Sequence, residues 1–330
     1  MTSTIKQVTF NQYGQPDVLQ VIETDMPKPR LGEVVIKVNA IGVNYSDILR
    51  RKNQYFMPTP LPFTLGTEAV GIIEAAGEAV AEPYTKGTRV LAILPQGGGY
   101  ATHVRVAASF CVPLPPEIDD KTATAIFVQG TTAQLMIAQL AGDLKGKSVL
   151  VNAAAGGVGS ILVQLAKMNG AKVIAAASND AKLAVAMRLG AHHVVNYTQP
   201  GWSKQIKNLT AGKGVEAAFE MVGGEVYNES VKSLAQGGRI IVYGCASGVQ
   251  GNIHPEYFVD EHISQSGFNL AYCIQHNMPL WQEALGTIIG LLAQGLLKIE
   301  TPKAFTLKDA AEAHRQIEAR NTTGKVVLLT

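Results

Sequence analysis

One segment restricts the possible folds of this chain more than any other: SVLVNAAAGGVGSILVQLAKMNGAKVIAAASND, residues 148–180. An apolar run at 148–153 leads into a glycine turn. After the turn, Val158, Ile161, Leu162, Leu165 and Ala166 recur at helical spacing on one face. A second apolar run follows at 173–177. This order, strand, tight turn, helix, strand, is the frame that seats a dinucleotide pyrophosphate on a helix N-terminus. Gly156 lets the backbone come close to the phosphates, and Gly159 lets helix and strand pack closely. Ala155, Gly157 and Val158 complete the cradle. The strict G-x-G-x-x-G pattern is not met, because Ala154 stands at its first position. The surrounding strand and helix pattern makes the shortened motif specific.

The end of the second strand bears on which dinucleotide is bound. A fold that holds the two ribose hydroxyls of NAD places Asp or Glu there. Here the strand ends Ala175, Ala176, Ala177, Ser178. Asp180 is near, but it stands just before AKLAVAMRLG, where an acid suits the first turn of a helix. Lys182 follows. A small polar residue and a cation suit a 2′-phosphate, so the expected cofactor is NADPH, with Ser178 and Lys182 beside its adenosine phosphate.

The rest of the chain divides around this segment. Residues before about 120 are short β-branched runs punctuated by turns: VTFNQYG, EVVIKVNAIGVN, AVGIIEAAG, TRVLAIL and YATHVRV. Beyond them strand and helix alternate, with apolar runs at 148–153, 173–177, 193–195, 215–219, 238–243 and 268–272. The reading is an α/β protein: a strand-rich domain plus a doubly wound parallel sheet covered on both faces. After Met278, WQEALGTIIGLLAQG reads as a helix, followed by a short strand at AFTL, a helix at KDAAEAHRQIEA and a strand at KVVLL. This tail is expected to pack back on the N-terminal domain.

Bulk properties exclude several functions. At 330 residues, 47% hydrophobic and 16% charged, the chain can build two cores. A net charge of +2 offers no field for nucleic acid or a membrane surface. No run approaches the length of a membrane span. Three scattered cysteines, Cys111, Cys245 and Cys273, do not form a disulfide framework, and MTSTIKQVTF lacks the apolar core of a secretory signal. A cytoplasmic location is expected.

AAAGGVG, together with NYSDILRRKNQY, PFTLGTEAVGIIEAAGEAV, GYATHVRV and VQGTTAQLM, resembles the zinc-free quinone oxidoreductases of the medium-chain dehydrogenase/reductase superfamily over nearly the whole chain. The resemblance implies a GroES-like catalytic domain from residues 1–124 and 276–330, and a Rossmann NADPH-binding domain from 125–275. It implies that Lys182, Tyr197 and Arg320 surround the 2′-phosphate, that Thr132 lies near the nicotinamide, and that Tyr243, Gly244 and Ser247 line the cofactor. It also implies a homodimer formed through the last Rossmann strand, around 268–272.

Zinc-dependent relatives carry a cysteine in a G-x-C-x-x-D context and a histidine in G-H-E. This chain has Gly42, Val43, Asn44 through Asp47, and Gly66, Thr67, Glu68. Amide and hydroxyl groups do not replace thiolate and imidazole, so no metal is expected. Without a Lewis acid, the easier reaction is hydride delivery to an electron-poor carbon, in a quinone ring or an α,β-unsaturated carbonyl. Asn44, Asp47 and Tyr55 are the catalytic candidates. Asn44 can donate to a developing oxyanion. Tyr55 matches a tyrosine that enoyl reductases of the superfamily keep near the substrate, and can hydrogen-bond the carbonyl or pass a proton. Asp47 can orient the loop through Arg51, four residues on. Leu49 stands where quinone oxidoreductases often carry tyrosine. Two alternatives follow: an enoyl-thioester reductase with Arg50, Arg51 and Lys52 at its entrance, and a non-catalytic NADPH-binding protein with a structural or RNA-binding role.

Overall fold

The computed structural model describes residues 4–330. Two compact units are present, one made of the chain up to Val128 with Ile299–Thr330, the other of Gln129–Lys298.

The first unit is built on an antiparallel sheet. Its longest strand, Glu33–Val43, is rich in the β-branched residues that suit a half-buried pleated surface. It pairs with Glu68–Ala76 and with His103–Ala107, and on its other side with the C-terminal strand Val326–Leu329. The strand Lys303–Thr306 lies parallel to that last one. Val34, Ile36, Val38, Ile41, Leu65 and Ile73 form part of the core beneath it, each essentially inaccessible to water. Burial of one such side chain contributes roughly 1.5–3 kcal/mol. The register of the last strand sets Val326 opposite Val43 and Leu329 opposite Ala40. Residues just before Val326 are thereby brought to the start of the helix that follows Val43.

The second unit is a six-stranded parallel sheet. In spatial order its strands are His193–Asn196, Lys172–Ala177, Ser148–Asn152, Val215–Glu220, Leu234–Val242 and Ser264–Gly267. The order therefore reverses between Ser148–Asn152 and Val215–Glu220. In open α/β sheets ligands bind beyond the carboxyl ends of the strands at such a switch point. Its central strands are mostly apolar, residues 149–151, 173–177 and 217–219 all being buried, as cover on both faces demands.

Two expectations about the later chain need correction. The sixth parallel strand is Ser264–Gly267, not 268–272. Leu270–His276 is a helix, started by Asn269, whose side chain accepts the Tyr272 N–H at 3.2 Å. A capping asparagine thus overrides the β-like composition of FNLAY. The helix Met278–Ala293 packs against Thr131–Gln139 inside the second unit, with Ala284, Leu285, Ile288 and Leu292 buried. The division after residue 275 is accordingly found at Lys298, and only the chain from Ile299 onward returns to the first unit. Among the described residues, no helix is long and apolar enough to cross a membrane.

Candidate functional site

The glycine turn has the anticipated build. Ser148–Asn152 ends in Ala153, held at φ 48°, and the helix Gly157–Met168 starts at Gly156. A Cβ on Gly159 would stand 2.3 Å from the Ala153 carbonyl oxygen, so only glycine lets the helix lie this close to the strand end. A Cβ on Gly156 would meet nothing nearer than that oxygen at 3.1 Å. The backbone there is open to an approaching ligand, and the first-turn N–H groups carry the positive end of the helix dipole. Gln129, missed in the sequence, covers Gly157 with its amide: a Cβ there would lie 2.0 Å from Gln129 Nε2. Ala155 is buried, Val158 is partly accessible, and Thr132 is buried at the start of its helix.

The neighbouring strand ends carry the polar set. Asn179 caps the helix Asp180–Arg188 by accepting the Lys182 N–H, and Lys182 Nζ lies 3.5 Å from Ser178 Oγ. The Tyr197 N–H bonds the Ala177 carbonyl, which holds this tyrosine at the end of the adjacent strand. Ser178, Lys182 and Tyr197 therefore come together at one edge of the sheet's carboxyl end. Arg320 belongs to the first unit, in the left-handed turn after the helix Ala310–Glu318.

Tyr243, Gly244 and Ser247 follow the strand Leu234–Val242. The Tyr243 N–H bonds the Glu220 carbonyl, and the Ser247 N–H bonds that of Val222. The Ser247 hydroxyl turns onto Val249. Tyr243 Oη is buried without a hydrogen-bond partner, and burial with the nearby Glu220 charge pushes its phenol well above the ordinary range. Glu220 accepts the N–H groups of Val222 and Gly223 on one oxygen and leaves the other unpaired. Its burial raises its pKa in spite of those bonds.

The first unit assembles a second polar cluster around the helix Tyr45–Arg51. Asn44 starts this helix. The Lys325 ammonium is wholly buried, donates to Asn44 Oδ1 at 2.9 Å, and forms an ion pair with Glu68. Asn44 Nδ2 donates to Glu68 Oε1 at 2.8 Å. A lysine can only donate and a carboxylate can only accept, so this amide has one consistent orientation. One Asn44 N–H is spent on Glu68. Glu68 Oε2 accepts the Val128 N–H at 3.1 Å. Gly42 makes room: a Cβ there would fall 2.2 Å from Glu68 Oε1. Beside Glu68 in sequence, Thr67 Oγ1 is buried without a partner.

Asp47 plays a different part from the one its spacing suggested. Its carboxylate accepts the N–H groups of Asn44 at 2.8 Å and Gly66 at 3.2 Å, tying the helix start to the turn before Thr67. Burial, the largest influence, pushes its pKa up to about 6, against the pull of those two bonds and of Lys325. The expected pairing with Arg51 is not formed. Arg51 is wholly buried and binds Glu318 at 2.8 Å, and Lys52 binds the same carboxylate. Burial would raise Glu318, but the bonds from Lys52 and Arg51 outweigh it and hold this carboxyl below its usual range. The Tyr100 hydroxyl lies 3.4 Å from Asp47 Oδ2 and 3.0 Å from His314 Nε2. Burial, helped by the Arg51 charge, lowers the His314 pKa to about 3, so this imidazole is neutral.

Tyr55 lies past the helix, half-buried, its ring 4.3 Å from the Arg50 guanidinium carbon and 4.5 Å from the Phe56 ring. Burial raises the Tyr55 pKa, and the Arg50 charge tempers the rise. Lys325, Tyr100 and His314 were not singled out from the sequence, and Thr67 was noted only as standing in place of a zinc-ligating histidine. A lysine before an apolar run reads as solvent-facing, and only the strand register shows otherwise.

Residues 30–116 match the family model described as alcohol dehydrogenase GroES-like domain, and residues 157–285 the one described as zinc-binding dehydrogenase. A probable quinone oxidoreductase of Schizosaccharomyces pombe is 34% identical over 98% of this chain and 96% of its own length. A 2-haloacrylate reductase of Burkholderia is 31% identical over 98% of this chain and 99% of its own. The crystal structure of Escherichia coli quinone oxidoreductase complexed with NADPH superposes with a TM-score of 0.89 at 29% identity, covering 99% of this chain and all of the other.

Proposed function

Since this chain belongs to the quinone oxidoreductase family of the medium-chain dehydrogenase/reductase superfamily and is an oxidoreductase, we propose that it is a zinc-independent NADPH-dependent reductase of quinones and α,β-unsaturated carbonyls. The observation that carries this reading is the Asn44 amide locked between Lys325 and Glu68, with the hydroxyl of Thr67, the residue before Glu68, buried and unpartnered. A zinc ion bound at these positions would face the Lys325 ammonium and an amide and a hydroxyl in place of thiolate and imidazole. The cluster is suited instead to donating hydrogen bonds.

NADPH, when bound, supplies hydride. Gly156 to Gly159 fit its pyrophosphate, and Ser178 with Lys182 fits a 2′-phosphate, because a cation and a hydroxyl stand where a carboxylate would repel that group. Tyr197 and Arg320 are assigned to the same phosphate, Thr132 to the nicotinamide, and Tyr243, Gly244 and Ser247 to the cofactor lining. The second Asn44 N–H and the Thr67 hydroxyl are assigned to donate to the acceptor oxygen as charge develops on it. Tyr55 Oη hydrogen-bonds the acceptor and hands on the proton that turns a reduced quinone into a hydroquinone, or an enolate into a saturated carbonyl. Asp47 acts indirectly, by fixing Asn44. The conjugated-carbonyl side is favoured by the relative named as a 2-haloacrylate reductase. The working form is assigned as a cytoplasmic homodimer, formed through the outer edge of Ser264–Gly267.

Oxidation of NADPH followed at 340 nm with a benzoquinone, a naphthoquinone, a cyclic enone and crotonyl-coenzyme A, each repeated with NADH and with a chelator, tests the reading. NADPH-selective turnover of a quinone or enone, indifferent to chelation, is expected. Preference for the thioester would move the assignment to an enoyl-thioester reductase. Tight NADPH binding without any turnover would overturn catalysis altogether.

A further inference from the structure

The helix Tyr45–Arg51 and the residue after it carry three cations in a row, and they are treated differently. Arg51 and Lys52 share the Glu318 carboxylate. Arg51 leaves two of its nitrogens unpartnered, but its charge is compensated. Arg50 is only 6% exposed, and among the described residues no carboxylate lies within 4.0 Å of it. Its Nη1 reaches the buried Thr59 hydroxyl at 3.4 Å, a long contact, and its Nε has no partner. Burying an uncompensated guanidinium is costly, because the charge loses its hydration and gains no counter-charge.

The surroundings of Arg50 suit a specific counter-ion. Its guanidinium carbon lies 4.3 Å from the Tyr55 ring centroid and 5.5 Å from that of Phe63. Aromatic rings flank the cation and the Tyr55 hydroxyl also bonds to it, but neither group can bring a counter-charge to its edge. A carboxylate can, with two parallel oxygens matched to the guanidinium fork. The wall is fixed, since Tyr13 Oη donates to the Thr59 carbonyl at 2.7 Å. Phe56 and Met57, next to Tyr55, expose apolar surface that a carbon skeleton would cover.

We propose that Arg50, flanked by Tyr55 and Phe63, is a carboxylate-binding subsite, so that the preferred acceptors are conjugated compounds bearing a carboxylate. This rests on the reductase reading above, through Tyr55, which serves both the anion's neighbour and the acceptor oxygen. The subsite makes Arg50 a specificity-determining residue that leaves the hydride step to other groups.

The test compares monomethyl fumarate with dimethyl fumarate, which share a conjugated system and differ by one carboxylate. The ratio of kcat/KM for the acid over the ester is measured in the native protein, R50M and R50K. A fall in this ratio of at least about tenfold in R50M is expected, with R50K intermediate because it keeps the charge and loses the planar fork. Calorimetric titration with sorbate, at low and high salt, reads the subsite without turnover. Binding that weakens with salt and is lost in R50M, itself checked for a native circular dichroism spectrum, is the supporting result. Equal sorbate binding in native protein and R50K, or an acid-to-ester ratio within twofold across the three proteins, would overturn the subsite. If neither fumarate nor any quinone is reduced while sorbate still binds through Arg50, the reductase reading fails and the subsite stands.

Discussion

The two units hold their chemistry in opposite ways. In the second unit the glycine turn, its helix and the Ser178–Lys182 pair all fall between Ser148 and Lys182, and much of the cradle is backbone. In the first unit the cluster is made of buried side chains from distant places: Lys325 is 281 positions from the Asn44 it holds and 257 from Glu68. A local backbone site depends on the absence of side chains. A remote charged site depends on every partner being present. Substitutions should therefore break the two in different ways.

The largest effect is expected at Lys325. Lys325→Met leaves Glu68 buried without its counter-charge and frees the Asn44 amide to rotate. Breaking a buried pair from one side costs about 3–5 kcal/mol. Urea unfolding of K325M should show that loss, and Glu68→Gln combined with it should recover part, because the stranded charge is then gone. A double variant as unstable as the sum of the single ones would mean that Lys325 and Glu68 are not coupled.

Next comes pH. His314, at about 3 in the fold against an ordinary 6.5, contributes stability that is present above pH 6.5 and lost as pH falls toward 3. Asp47, at about 6 against 3.8, has the opposite sign: its contribution is fully present below pH 3.8 and lost as pH rises through 6. Between about pH 4 and 6 the two oppose each other, each by up to about 1.4 kcal/mol per pH unit. Asp47→Asn should make the native protein's acid loss steeper, and His314→Gln should make stability rise on acidification relative to it. Denaturant midpoints at half-unit intervals decide this, and parallel curves for all three proteins would sink it.

At Gly159 the smallest possible side chain is enough. Gly159→Ala puts a carbon 2.3 Å from a backbone oxygen that cannot swing aside. Overpacking of this kind costs about 1–3 kcal/mol. The shift moves the helix N-terminus, so NADPH affinity should fall with stability. Gly156→Ala, where the nearest atom is at 3.1 Å, should lose affinity while stability changes less. Isothermal titration and thermal melts on both variants would separate packing from ligand approach.

This contrast also explains what could be read from the sequence. The parallel sheet and its glycine turn were legible because periodicity and turn chemistry are local signals. The placement of Ser178 and Lys182 at the end of the second parallel strand was legible for the same reason. The strand-rich unit was legible as strands, but not the cluster inside it. Nothing near Lys325 in sequence says that it is buried; the pairing of Val326 with Val43 does. Asp47 and Arg51 have the spacing of a helical ion pair, yet each found a better partner, backbone N–H groups for the one and Glu318 for the other. Residues 268–272 were misread because one capping asparagine outweighs a short apolar run.

The smallest effect, and the one that most sharpens the local side of the comparison, is at Lys182. Its ammonium stands 3.5 Å from the Ser178 hydroxyl at the end of the second parallel strand, where an NAD-binding fold would carry an acid. If these two residues read the 2′-phosphate, Lys182→Ala should weaken NADPH binding by about tenfold, or about 1.4 kcal/mol, and leave NADH binding nearly as it was. The effect is modest because a phosphate at a strand edge keeps much of its hydration. Fluorescence titration with both nucleotides checks it. An equal loss for the two would mean that Lys182 supports the turn and not the phosphate, and cofactor choice would then have to come from side chains remote in sequence, as the chemistry of the first unit does.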